Sequence, residues 1–260
     1  MVGSFGKGTT VAKIPVALQM YTVRDFAEKD WAGTLKQVAD IGYTALEFAG
    51  TWGVSAADLR KALDDLGLRA VSMHVGYGDL ADSAKLSECI AYAKTIGATN
   101  FALSGNNETA DAWKEWGENL GRAGEQAGRD GMTVSFHNHS AEFTVIDGKP
   151  GLEIMFETAG DALKSQTDVY WVQHAGYDPA EFIRKHAGLC TTIHAKDMEA
   201  GEERFFAEVG EGILDWPSIF EACESVGGTE WYIVEQDACR RPSIESAKLS
   251  FENLKKMGKL

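Results

Sequence analysis

The chain predicts a single (β/α)8 TIM barrel, and three observations carry that prediction. Four amphipathic stretches end in a glycine ahead of a β-rich run: ADIGYTALEF, DDLGLRAVSMH, KTIGATNFALS and GRDGMTVSFH. Glycine in that place stops a helix by adopting the left-handed conformation. Gly42, Gly67, Gly97 and Gly131 are 25, 30 and 34 residues apart, room for one strand, one helix and their loops. The alternation continues to eight strand–helix units within 260 residues, the size of such a barrel, with parallel strands and right-handed crossovers. Finally, the turn after the first strand, MYTVRDF, has no glycine, whereas a doubly wound open sheet usually carries a glycine-rich loop there.

Residues 1–14 read as a flexible lead-in, and 15–260 as the barrel domain. Each predicted strand is an apolar run, and nearly every one finishes on ionisable groups. The first, 15–22, ends in Gln19, Tyr21 and Arg24, and a helix near 30–41 follows. Strand 44–49 carries Glu47 and leads to a helix near 55–66. Strand 69–75 ends in His74, before a helix near 82–96. Strand 99–104 precedes the helix near 108–129. Strand 132–138 runs into FHNHSAEF, with His137, His139 and Glu142, before a helix near 151–160. Strand 167–172, QTDVYW in its context, holds Asp168 and Trp171, and is followed by a helix near 179–187. Strand 190–195 ends in HAKD, with His194, Lys196 and Asp197, and precedes the helix near 216–226. Strand 231–236 ends in Glu235, with Asp237 just beyond. The last helix runs near 242–257, with Pro242 suited to its first turn, where a missing N–H costs nothing.

An apolar fraction of 44% and a charged fraction of 25% describe a globular chain. A net charge of −14 repels phosphate backbones and anionic membrane surfaces, so neither nucleic acid nor membrane is an expected partner. No stretch approaches the ~20 apolar residues of a membrane span. Cys89, Cys190, Cys223 and Cys239 have no CxxC spacing, so reduced thiols and a cytoplasmic compartment are expected.

Functional groups of a (β/α)8 barrel collect where strands end, and side chains alternate along a strand. Ser135, His137 and His139 share one face, as do Thr192, His194 and Lys196. If both faces point to the axis, groups from separate strands converge. Burying Asp168, His194 and Glu235 together without a cation or a substrate is costly. An imidazole–carboxylate set without thiol suits Mn²⁺, Mg²⁺, Co²⁺ or Zn²⁺.

ALQMYTVRD, ALEFAG, FHNHSAEF, DVYWVQHAGYDP, IHAKD, VGEGILDW and YIVEQD occur in this order from about residue 15 to the C-terminus. In these motifs the chain resembles the sugar phosphate isomerase/epimerase group of xylose isomerase-like TIM barrels. The resemblance implies a divalent metal, manganese first among the candidates, held by Asp168, His194 and Glu235. Relatives carry a glutamate at the end of the fifth strand, where this chain has His137. Either His137 replaces that carboxylate or Glu142 reaches back from the loop; the expectation drawn here is that Glu142 completes the ligand set, since a carboxylate keeps it hard. His137 and His139 then face the substrate as acid/base groups, with Glu235 as the proton-transferring carboxylate.

The implied activity is isomerisation or epimerisation of a sugar or related keto-polyol through an enediolate, with a divalent ion acidifying the C–H beside a carbonyl. A lyase or dehydratase on the same site and a non-catalytic sugar-binding barrel are the alternatives. Glu47, His74, Trp171 and Lys196 are expected to contact substrate. Asp197 is expected to pair with Lys196, Glu47 is a possible anchor for Arg24, and Glu211 fixes the loop after the seventh strand. Arg240 and Arg241 are either an anion-binding pair or solvated charges. His174 receives no role, and a homo-oligomer is compatible with the fold.

Overall fold

Eight strands close on themselves in the computed structural model, which describes residues 13–226 and 228–260. They are β1 (Val16–Gln19), β2 (Ala45–Ala49), β3 (Arg69–His74), β4 (Asn100–Leu103), β5 (Thr133–His137), β6 (Leu163–Asp168), β7 (Cys190–Ala195) and β8 (Trp231–Val234). Each pairs in parallel with the next, and β8 returns to β1 through Val16↔Tyr232 and Leu18↔Val234. The register slips twice, between Leu46 and Glu47 against β3, and between Ser165 and Gln166 against β7.

Eight longer helices alternate with the strands: α1 (Trp31–Ile41), α2 (Ala56–Leu66), α3 (Ser83–Ile96), α4 (Ala110–Gly128), α5 (Gly151–Ala159), α6 (Pro179–Lys185), α7 (Trp216–Val226) and α8 (Ser243–Lys256). Short polar side chains start them. Asp30, Ser55, Asp82 and Thr109 each accept a backbone N–H of the first turn, satisfying donors that have no partner within the helix. Gly42, Gly67 and Gly97 cap α1, α2 and α3 in the left-handed region, as expected. Gly131 differs: α4 ends at Gly128, and Gly131 takes its positive φ in the turn beyond. Pro242 stands at the cap of α8, one residue ahead of the first turn. Among the described residues no helix is long and apolar enough to cross a membrane.

The sixth strand is the main correction. It runs over 163–168, and Val169–His174 forms a short helix instead of strand. VYWV is β-branched and aromatic, which favours strand locally, but Asp168 ends the strand and caps the helix by accepting from Trp171 N at 3.1 Å. The true strand, LKSQTD, is polar because its inward face looks into a polar layer. The lead-in expected over 1–14 falls largely outside the described residues, which begin at Lys13.

The barrel interior is layered. Ala17, Ala45, Val71 and Ile233 form a small apolar cluster of their own, with Trp231 against it. Asn100 then donates to Ser72 Oγ at 2.9 Å and to Ser135 Oγ at 3.0 Å. Two residues on, along the same strand faces, lie the charged ends. The main core fills the space between strands and helices, from Leu18 and Phe48 to Ile193 and Leu254. A glycine stripe on α4 lets α5 and the turn behind it approach closely: a Cβ on Gly124 would stand 2.0 Å from Ala162 O.

Asp197 follows β7 with its side chain off the axis, so it does not pair with Lys196 as expected. Its carboxylate accepts from the backbone N–H groups of Met198, Gly210, Gly212 and Leu214, and from Trp216 Nε1 at 2.6 Å. One buried carboxylate thereby folds the VGEGILDW loop over the barrel end. Glu211, expected to fix this loop, accepts from Asn253 Nδ2 of α8. Removing a partner from buried donors costs ~1–3 kcal/mol per group. Asp197→Ala is therefore expected to lower the unfolding free energy by about 3 kcal/mol or more, read as a fall in the denaturation midpoint at unchanged slope.

Candidate functional site

Strand parity delivers a ring of polar groups to the end of the barrel. Gln19, Glu47, His74 and His137 come from β1, β2, β3 and β5, and Gln166 and Asp168 from β6. His194 closes β7 with Lys196 just past it, and Glu235 follows β8. All of these are buried except His74, which is partly exposed. A cavity of about 220 Å³ opens onto His74, His137, His139, Glu235 and Asp237, with Tyr21 and Ser104 on its wall. That volume lies below the ~300–1,000 Å³ of drug-sized pockets. A larger groove of about 600 Å³ lies between α7 and residues 257–259, but its lining of Trp216, Phe220 and Met257 brings no histidine to it.

Glu47 is fully buried and takes donors from four side chains. Gln19 Nε2 and His194 Nε2 reach Oε1 at 2.7 and 2.6 Å, Gln166 Nε2 reaches Oε2 at 2.6 Å, and His74 Nε2 stands 3.2 Å from Oε1. Burial alone would raise its pKa, but the charges of His194 and His74 hold it well below the usual carboxylate range. His194 donates from both ring nitrogens, its Nδ1 reaching Glu235 Oε2 at 2.8 Å. Burial works against its charge, yet Glu235 and Glu47 push it up to about 10. Glu47 thus anchors His194, His74 and two amides. Arg24, which it was a candidate to hold, instead donates to the carbonyls of Tyr21 and Asp237.

Lys196 is fully buried and stands 2.9 Å from Asp168 Oδ2, 2.8 Å from Glu235 Oε2 and 2.6 Å from Asp237 Oδ2. Against burial, these three carboxylates raise its pKa. Glu235 is held well below its ordinary range by Lys196 and His194, despite burial. Asp168 goes the other way: burial raises it, more than the Lys196 charge lowers it. Its buried Oδ2 lies 2.9 Å from the Lys196 ammonium and has no other hydrogen-bond donor among the described residues.

That oxygen and the donors around it test the fit of a metal. Glu47, Asp168, Glu235 and Asp237 gather around the His194 ring and the Lys196 ammonium, a cluster rich in carboxylates. His137, Asp168, His194 and Glu235 each offer a ligand atom within 4.8 Å of the others. Two imidazoles and two carboxylates suit a divalent ion, for which the His194 proton shared with Glu235 has to leave as the ion enters. The residues therefore fit the group.

FHNHSAEF is placed differently from the expected split. His137 ends β5 inside the four-residue group, with Nε2 3.9 Å from Asp168 Oδ2. Glu142 lies outside that group. It sits in a short 3-10 turn and folds back to accept from His139 N at 2.9 Å, with Oε1 3.5 Å from His139 Nδ1. The chain leaves the strand at His137, so the following residues turn back on themselves instead of continuing its alternation. His139 stays near the site, its ring 4.9 Å from that of His137 and 5.3 Å from Trp171. Burial opposes its charge, but the hydrogen bond and charge of Glu142 raise its pKa.

Trp171 lies on the short helix after β6 and, with Phe206, faces the Lys196 ammonium at 5.7 and 5.6 Å. Arg240 pairs with Glu199 and Glu203, and Arg241 with Glu208, so neither is a free anion site. His174 packs beside Tyr170 and Trp171, and burial lowers its pKa. Gln166 is the residue that sequence reasoning missed. An uncharged amide carries no chemical flag, and with the sixth strand placed at 167–172 it lay outside any strand. The signal was its position two residues before Asp168, on the same face of β6.

A family model described as xylose isomerase-like TIM barrel matches residues 35–257. The rhizopine catabolism protein MocC of Rhizobium meliloti is 23% identical, over 86% of this chain and 80% of its own. An inosose dehydratase of Geobacillus kaustophilus is 22% identical, over 86% of each. The crystal structure of a sugar phosphate isomerase/epimerase from Parabacteroides distasonis superposes with a TM-score of 0.84 at 22% identity, covering 97% of both chains.

With His137 among the clustered donors and Glu142 turned to His139, the two substitutions separate. The wild type is expected to take up one divalent ion per chain, measured by elemental analysis after Mn²⁺ loading. His137→Ala is expected to weaken that uptake by ~10-fold or more, the range seen when groups that hold a metal or its ligands are removed. Glu142→Ala is expected to leave it within a few-fold.

Proposed function

Since this chain belongs to the xylose isomerase-like TIM barrel family, we propose that it is a divalent-metal-dependent enzyme removing a proton beside the carbonyl of a keto-sugar or keto-polyol and eliminating a β-oxygen substituent, as a dehydratase or lyase does. His137, Asp168, His194 and Glu235 would hold the ion, which supplies Lewis-acid polarisation of the carbonyl. Glu235, ionised and lining the cavity, takes the proton from carbon. His139 carries a proton for the other end of the reaction. Glu142 engages its Nδ1, so Nε2–H is the donor to the departing oxygen. The C–H and C–O bonds break, the proton on carbon goes to Glu235, the leaving oxygen takes the proton of His139, and an α,β-unsaturated ketone remains. Lys196 and His74 orient the substrate oxygens, and Trp171 closes the wall beside His139.

The observation that carries this reading is the pairing of one carboxylate base with His139, whose ring faces buried Glu142 and whose pKa that carboxylate raises. Epimerisation calls for proton-handling groups on both faces of the carbon. The second candidate, His137, has both ring nitrogens engaged, Nδ1 facing Gln166 and Nε2 turned toward Asp168 in the group that would hold the ion. Relatives that include inosose dehydratase support an elimination. Isomerisation or epimerisation shares the first step, and the similarity to a sugar phosphate isomerase/epimerase keeps it as the second reading.

The test is a panel of inososes, keto-glycosides and ketoses in D₂O with Mn²⁺, followed by NMR. An unsaturated ketone from at least one substrate is expected. Deuterium uptake with every atom of the substrate retained favours isomerase or epimerase, and no exchange at carbon on any substrate overturns the enzymatic reading. Glu235→Gln is expected to fold and to lose ~10²-fold or more in rate, the scale of a general base. His139 must be protonated to act, and its pKa is raised above the ordinary 6.5. The rate is therefore expected to fall as pH rises through that raised value. Glu142→Gln, which removes the stabilising charge, is expected to move this alkaline limb of the pH–rate profile to lower pH.

A further inference from the structure

Gln166 is buried at the meeting point of three polar neighbours, and its amide has one orientation that satisfies all of them. Its Nε2 lies 2.6 Å from Glu47 Oε2. Glu47 is already the acceptor for Gln19 and His194, so an oxygen of Gln166 turned toward it would meet oxygen. The nitrogen end is fixed there, and Gln166 Oε1 faces His74 Nε2 at 2.8 Å and His137 Nδ1 at 3.1 Å. An amide oxygen only accepts, so each ring must carry its proton on the nitrogen that faces it. A neutral His137 then has its lone pair on Nε2, the nitrogen nearest Asp168 Oδ2.

The backbone singles out the same two residues, Glu47 and Gln166. The only two register slips in the described barrel occur beside Glu47 and beside Gln166. An extra residue in a ladder re-aims neighbouring side chains, and such irregularities favour sites of function. Here the two slips flank the two residues that bond to each other across the barrel.

We infer that Gln166 is a positioning residue that holds His137 as its Nδ1–H tautomer and so presents the Nε2 lone pair to a cation shared with Asp168, His194 and Glu235. The cation rests on the proposed metal dependence, whereas the tautomer does not. Histidines that bind metals commonly donate the other ring N–H to such an acceptor. An amide differs from a carboxylate in that role: it orients the ring without adding negative charge to a cluster that already holds four carboxylates.

The experiment uses ¹⁵N-histidine-labelled, metal-free protein. With six histidines in the chain, single substitutions assign the two-bond ¹H–¹⁵N correlations. His137 is expected to show the Nδ1–H pattern, and an Nε2–H pattern in the wild type overturns the proposal without any further variant. Gln166→Met keeps the side-chain length but offers no acceptor. It is expected to release the tautomer and weaken Mn²⁺ binding by ~10-fold. Gln166→Glu keeps an acceptor and is expected to retain the Nδ1–H pattern although it repels Glu47. A Met variant with unchanged tautomer and unchanged Mn²⁺ affinity overturns the positioning role. The Nδ1–H pattern in a protein that takes up no divalent ion, lost in Gln166→Met, supports the role of Gln166 and overturns the metal-dependent function alone.

Discussion

A carboxylate stripped of water has to find donors, and Glu47 finds them on four other strands. Gln19 on β1, His74 on β3, Gln166 on β6 and His194 on β7 all turn toward it. Desolvating such a group costs several kcal/mol unless its oxygens are fully engaged, so the positions of these four side chains are not independent. His194 is tied in turn to Glu235, and Glu235 to Lys196. The arrangement of the chemistry at the cavity thus follows from satisfying one charge below it.

Much of this was legible in the sequence because a barrel encodes itself twice. Glycines at the ends of helices gave the repeat, and polar groups at the ends of apolar runs gave the face that carries function. Seven of the eight strands lie close to where those signals put them. The exception, β6, shows the limit of hydrophobicity as a guide. Its inward residues Gln166 and Asp168 meet Glu47, His74, His137 and Lys196 instead of a greasy core, so LKSQTD looks like a loop and the helical VYWV after it looks like a strand. The same displacement hid Gln166.

The placement of His137 inside the clustered donors and of Glu142 outside them has a different origin. Parity predicts direction while the chain is extended, and β5 ends at His137. Beyond it, a 3-10 turn brings Glu142 back to the backbone of His139, a return path that nothing in FHNHSAEF announces. The dipeptide Lys196–Asp197 is the converse case. Neighbouring residues on a strand point to opposite sides, so the lysine goes to the carboxylates at the axis and the aspartate to the loop outside. One step along the chain separates a group that faces the cavity from one that builds its rim.

The floor beneath this layer, Ala17, Ala45, Val71 and Ile233, makes the barrel a vessel with one mouth. Its small apolar side chains lie on one side of the charged layer, and the cavity opens on the other. His139 and Glu235 stand at that mouth, while the Glu47–His194 pair is fully buried. The two sets of groups therefore meet water unequally: those at the mouth border it directly, and the His194 ring is joined to that mouth through Glu235.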